Sequence, residues 1–125
     1  MSAADKLYTY NYLSDDDILQ MKILVDTVNR DTASAIYENS SREKNLPPFS
    51  YFIMDAATVT EISDSAIGIL MKAMSTLKKV KGYLVLVMTE EFLQNIMVRH
   101  PEMFNYVAVF HNLEDARAFI RRSLT

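Results

Sequence analysis

Glu61-Ile62-Ser63-Asp64-Ser65-Ala66-Ile67-Gly68-Ile69-Leu70 lies between an extended apolar run, Tyr51-Phe52-Ile53-Met54, and a segment whose apolar residues recur at helical spacing. Ser63, Asp64 and Ser65 are three consecutive residues suited to capping a helix, because their side-chain oxygens accept from the free N–H groups of the first turn. A helix N-terminus also favours negative charge. The stretch therefore marks a strand-to-helix passage where a hydroxyl, a carboxylate or a phosphate can be held. An ordinary N-cap needs nothing more than this, so the rest of the chain has to decide.

Downstream, Ile67, Leu70, Met71, Met74 and Leu77 give one apolar helix face. Lys72, Lys78, Lys79 and Lys81 crowd toward its end, where cations suit the dipole, and Gly82 is placed to stop it as a left-handed cap. Residues 83–88, Tyr-Leu-Val-Leu-Val-Met, read as a buried strand. Thr89 caps a helix carrying Phe92, Ile96 and Met97, and Pro101 ends it. Residues 107–110 form a short strand, and Asn112 caps a last helix with Leu113, Ala116, Phe119 and Ile120 inward.

Upstream, residues 51–56 read as a strand covered on both faces. Residues 40–50 form the one polar, proline-bearing connection. Asn29-Arg30-Asp31-Thr32 starts a helix through Ala33, Ile36 and Tyr37, expected to be short because Asn39-Ser40-Ser41 follows. Residues 18–25 and 6–13 alternate as two strands, paired as a hairpin across Ser14-Asp15-Asp16-Asp17, a turn expected to be solvated. The order β-β-α-β-α-β-α-β-α predicts an α/β fold: a mixed, mostly parallel sheet of four to five strands, with about four helices packed on it, in one domain over 1–125.

The chain has 125 residues, 50 % hydrophobic and 23 % charged, the balance of a globular protein. A net charge of −3 gives no reason to expect nucleic acid or an anionic membrane as partner. Without cysteine there is no disulfide, thiolate nucleophile or thiolate metal site. No signal peptide and no membrane-spanning apolar run are visible, so a cytoplasmic location is expected.

Catalytic constellations are not apparent. His100 and His111 are the only histidines, and neither has metal-ligand spacing. Ser65 has no nucleophile-elbow glycines and no evident base. Two glycines, Gly68 and Gly82, cannot build a phosphate-binding loop. The eight methionines read as core filler. No cofactor, metal or enzymatic activity is expected.

Taken together in order and spacing, these residues resemble the STAS domain, the family of bacterial anti-sigma-factor antagonists. That family carries a loop of the form Asp-Leu-Ser-Gly-Val-Thr-Phe-Ile, then Asp-Ser-Ser-Gly-Leu-Gly opening a helix. Here the corresponding run is Asp55-Ala56-Ala57-Thr58-Val59-Thr60-Glu61-Ile62, then Ser63-Asp64-Ser65-Ala66-Ile67-Gly68. The likeness continues through Leu77-Lys78-Lys79-Val80-Lys81-Gly82 and closes at Phe110-His111-Asn112-Leu113-Glu114-Asp115-Ala116. Asn29-Arg30-Asp31-Thr32-Ala33 sits where the family often has Leu-Asp-x-x-Thr-Ala. Residues 50 to 120 carry the resemblance well and the first 45 carry it weakly.

The resemblance implies a non-enzymatic regulator of a partner-switching pathway. In the family, a partner serine kinase and anti-sigma factor of the histidine-kinase-like ATPase fold phosphorylates the serine of the Asp-Ser pair. A serine phosphatase reverses it. Phosphate adds roughly −1.5 to −2 charge at a helix N-terminus that lies in an interface. The partner-binding residues implied here are Asn29, Thr60, Glu61, Ser63, Asp64, Ser65, Ala66 and Ile67, with Met71, Met74 and the lysines framing that face or the core beneath it. This chain departs from the pattern at one place. Aligned on the Asp-Ser dipeptide, Ser65 is the acceptor, with Ser63 as the alternative site, and the loop is one residue longer. Aligned without a gap, Asp64 takes the acceptor position as a partial phosphate mimic, flanked by Ser63 and Ser65. The second alignment suits a constitutive scaffold or adaptor without a phosphorylation cycle. The exposed first strand also offers an edge for pairing with a second copy.

Overall fold

A computed structural model describes residues 6–123. Its elements run β1 (Tyr8–Leu13), β2 (Ile18–Ile23), β3 (Thr27–Val28), α1 (Arg30–Ser41), β4 (Tyr51–Asp55), β5 (Glu61–Ile62), α2 (Asp64–Met74), β6 (Leu84–Val87), α3 (Glu90–Arg99), β7 (Val107–Phe110) and α4 (Leu113–Ser123). A 3-10 turn, Pro101–Asn105, follows α3. The main sheet has the order β1-β2-β4-β6-β7, antiparallel at β1–β2 and parallel elsewhere. This is the expected mixed, mostly parallel sheet, with five strands and four helices.

Alternation along the strands feeds two cores. Leu19, Met21, Phe52, Leu84 and Leu86 point to one face, with Ala66 and Ile67 of α2 and Phe92 and Ile96 of α3. Ile18, Ile53, Val85 and Val87 point to the other, under Ala116 and Ile120 of α4. β6 is buried at all four positions, as a central parallel strand must be.

Several expectations are corrected. β2 ends at Ile23, so Leu24 is 39 % exposed and does not line a core. α1 runs twelve residues through Asn39, Ser40 and Ser41. The two serines do not break it, because both hydroxyls donate to the Tyr37 carbonyl one turn back, at 3.1 and 2.6 Å. α2 stops at Met74 rather than running to Lys81. Ser75 and Thr76 hydroxyls donate to the Lys72 and Ala73 carbonyls, and Lys79 Nζ donates to those of Met74 and Leu77, so the last carbonyls find partners early. Gly82 is left-handed as expected (φ 88°), but with Lys81 (φ 53°) it makes a two-residue turn closed by paired Val80–Tyr83 hydrogen bonds. Two positive φ values are the signature of a hairpin turn, not of a helix cap.

The acidic turn is not a solvated one. Asp16, its side chain 10 % exposed, accepts from Arg117 and Arg121 of α4 at 2.9 to 3.0 Å. Asp17 accepts from Tyr12 and Ser50 side chains at 2.6 and 2.5 Å, and its carbonyl takes the N–H groups of Ser50 and Tyr51. Adjacent carboxylates thus stitch two separate segments to one hairpin.

An apolar cavity of about 340 Å³ lies between the sheet, α1 and α2. α1 has no fully buried residue; Ala33, Ile36 and Tyr37 face the cavity half-buried.

Candidate functional site

The candidate site is assembled by two of the shortest elements in the fold. β3 and β5 pair in parallel, Thr27 with Glu61 and Val28 with Ile62. The next residue on each segment is a helix N-cap, so the pairing sets Asn29 and Ser63 side by side. The bond from Ser63 N–H to the Val28 carbonyl, 3.0 Å, closes the arrangement. Thr60 reinforces it, its N–H and hydroxyl both donating to the Asp26 carbonyl at 2.8 and 3.2 Å. Two helix N-termini, α1 and α2, are therefore presented together, and the helices pack along each other.

Each cap works as its sequence suggests. Asn29 Oδ1 accepts from the N–H and the hydroxyl of Thr32, both at 2.9 Å. Ser63 Oγ accepts from the Ala66 N–H at 3.1 Å. Asp64 and Ser65 then occupy the first turn of α2, both exposed. The Ser65 hydroxyl lies 3.2 Å from Ser63 Oγ.

Asp64 is held from a distant part of the chain. Arg99, at the end of α3, donates to Asp64 Oδ1 and, at 3.0 Å, to the Ile62 carbonyl. His100 Nε2 lies 2.9 Å from the same carboxylate oxygen, and its Nδ1 faces Glu102 at 3.5 Å. Hydrogen bonding from His100, then from Arg99, holds the Asp64 carboxyl below the usual carboxylate range. Arg99 is itself braced by Asn95 Oδ1 at 2.9 Å. His111 contacts the Met88 carbonyl and Glu90, each at 2.9 Å.

Of the residues expected at a partner-facing surface, Asn29, Thr60, Glu61, Asp64 and Ser65 are exposed together, with Ser63 half-buried between them. Ala66 and Ile67 are corrected: at 0 % and 1 % exposure they anchor α2 on the sheet and present nothing outward. Of the residues expected to frame that face or the core beneath it, Met74 is in the core, and Lys78 and Lys79 lie beyond the far end of α2, an eleven-residue helix about 16 Å long. Arg99 and His100 were not found from the sequence. They act on a residue about 35 positions away, and no local pattern announces such a tie.

The arrangement offers backbone dipoles, one exposed hydroxyl and a fixed carboxylate. Among the described residues, no group of three or more His, Cys, Asp or Glu side chains is disposed to hold a metal, and no helix is long and apolar enough to cross a membrane.

No family model matches the chain, and no curated protein is significantly similar to it. Solved structures are. A candidate anti-sigma factor antagonist from Thermotoga maritima superposes with a TM-score of 0.68 at 15 % identity, over 92 % of this chain and 95 % of that one. An anti-sigma factor antagonist from Mycobacterium paratuberculosis gives 0.67 at 18 %, over 97 % and 99 %. An uncharacterised Shewanella loihica protein with a SpoIIAA-like fold gives 0.52 at 17 %, over 90 % and 91 %. The chain has the fold of these anti-sigma factor antagonists, the STAS fold, across nearly its whole length.

Proposed function

We propose that this STAS-fold chain is a non-enzymatic regulator in a partner-switching pathway, of the anti-sigma-factor-antagonist type. It binds a serine kinase and anti-sigma factor of the histidine-kinase-like ATPase fold through the surface around Asn29, Thr60, Glu61 and residues 63–65. Phosphorylation of Ser65 releases that partner, and a serine phosphatase restores binding. The observation that carries the reading is the Ser65 hydroxyl, exposed on the first turn of α2 and, among the described residues, hydrogen-bonded only to another hydroxyl. The helix N-terminus tolerates a phosphate there, whereas an interface built over two adjacent helix ends does not tolerate its charge and bulk. Asp64 is engaged by Arg99 and His100 within the molecule, which favours a structural task for it and leaves Ser65 as the acceptor.

The rival reading is a constitutive scaffold or adaptor in which Asp64 replaces the acceptor. Its support is the same pair of contacts: they keep one negative charge fixed and exposed at the helix end in every state. Incubation with host extract and labelled ATP separates the two. Wild type and Ser63→Ala take up phosphate and Ser65→Ala does not, if Ser65 is the acceptor. Equal labelling of Ser65→Ala, or none of any form, sinks the switch.

The remaining partner readings follow from the same account. It invokes no nucleic acid and no membrane insertion, and its setting is cytoplasmic. The open edge of β1 leaves a surface for pairing with a second copy.

A further inference from the structure

We propose that the cavity under α1 is a binding site for one medium-chain acyl carboxylate, its chain within the apolar walls and its head group at Lys78. The site is distinct from the surface around Ser65 and does not depend on its phosphorylation.

Three observations carry this. The walls are apolar: Leu19, Met21 and Phe52 from the sheet face Ile36 of α1 and Leu70 of α2. An apolar lining favours an apolar occupant, as an apolar cavity of about 150 Å³ takes up benzene. The volume, about 340 Å³, falls within the roughly 300–1,000 Å³ of small-molecule pockets. The cavity extends from Val28 and Ile62, beneath the two caps, to a rim that includes exposed Ser41, Thr76 and Lys78. A lining that runs from beneath the caps to a polar rim suits a chain with a polar end.

The head group is assigned by charge. Among the described residues, Lys78 is the one charged side chain lining the cavity. Its ammonium sits 4.6 Å over the Phe49 ring and donates to the Phe49 carbonyl, and Asp17 also acts on it. Lys78 thereby holds the segment around Leu46 and Phe49 across the rim. A carboxylate arriving there offers a charge-assisted bond in place of a neutral carbonyl, so binding and release of that segment exchange partners on the same ammonium.

Methyl NMR of the full chain titrated with dodecanoate tests this without any variant. Saturable shifts of the Ile36 and Leu70 methyls are expected, at a Kd well below about 1 mM. Ala33→Phe, which fills the cavity, is expected to remove the shifts, and Lys78→Ala to weaken dodecanoate about tenfold or more while leaving dodecanol unchanged. Shifts confined to exposed Met97 and Val98, no saturation up to about 1 mM, or full binding by Ala33→Phe would overturn the site. Equal affinity of Lys78→Ala for dodecanoate would overturn the carboxylate assignment.

Discussion

Ser63, Asp64 and Ser65 are neighbours with three different tasks. Ser63 starts the helix, Asp64 ties its first turn to the end of α3, and Ser65 stays exposed. Ser63→Ala is expected to cost about 1 kcal/mol, the usual loss for an N-cap oxygen, read as a lower urea midpoint with an unchanged slope. Ser65→Ala, whose hydroxyl bonds no backbone group in the structure, is expected to leave that midpoint in place. The caps were legible in the sequence because capping is local chemistry: an oxygen, three residues, one N–H. The tie from Arg99 and His100 was not legible, because it depends on where two helices end relative to each other.

At the scale of elements, the acidic turn makes the sharpest prediction. Hydrogen bonds from Arg121 and Arg117 hold the Asp16 carboxyl below its ordinary range, and those from Ser50 and Tyr12 do the same for Asp17. A depressed folded value means that the unfolded chain binds protons first. The stabilisation is fully present above the unfolded value of about 3.9 and is lost as pH falls through the lower folded values. Asp16→Asn should therefore flatten the acid limb of a stability–pH profile as pH falls through and below the unfolded value of about 3.9, measured by urea unfolding. A wild-type profile and an Asp16→Asn profile that run parallel would remove Asp16 from the account. The sequence showed a turn here and placed it correctly. It showed nothing of the arginines a hundred residues later, so three adjacent carboxylates looked solvated. The two-residue strands β3 and β5 were equally hidden: alternation needs several residues to register, and these have two. Yet their pairing is what brings Asn29 and Ser63 together.

For the molecule as a whole, the order of elements was readable because each main strand and helix is long enough to carry its own period. β6 announces itself by four consecutive apolar residues, and α4 by Leu113, Ala116 and Ile120. The STAS resemblance, resting on the order of motifs from Asp55 to Ala116, is matched by the fold over more than nine-tenths of the chain in two solved structures. The cavity was invisible, since residues that line a void and residues that fill one have the same composition. Ile36, Leu70 and Phe52 read simply as core.

If Ser65 is the switch, phosphopeptide mass spectrometry of the protein recovered from its host under several growth conditions, with its bound partner quantified alongside, will find phosphate on Ser65 that appears and disappears with conditions. The partner will be lost when the phosphate is present. A peptide unmodified in every condition, on a protein that keeps the same partner throughout, would contradict the switch and establish the adaptor with its fixed charge at Asp64.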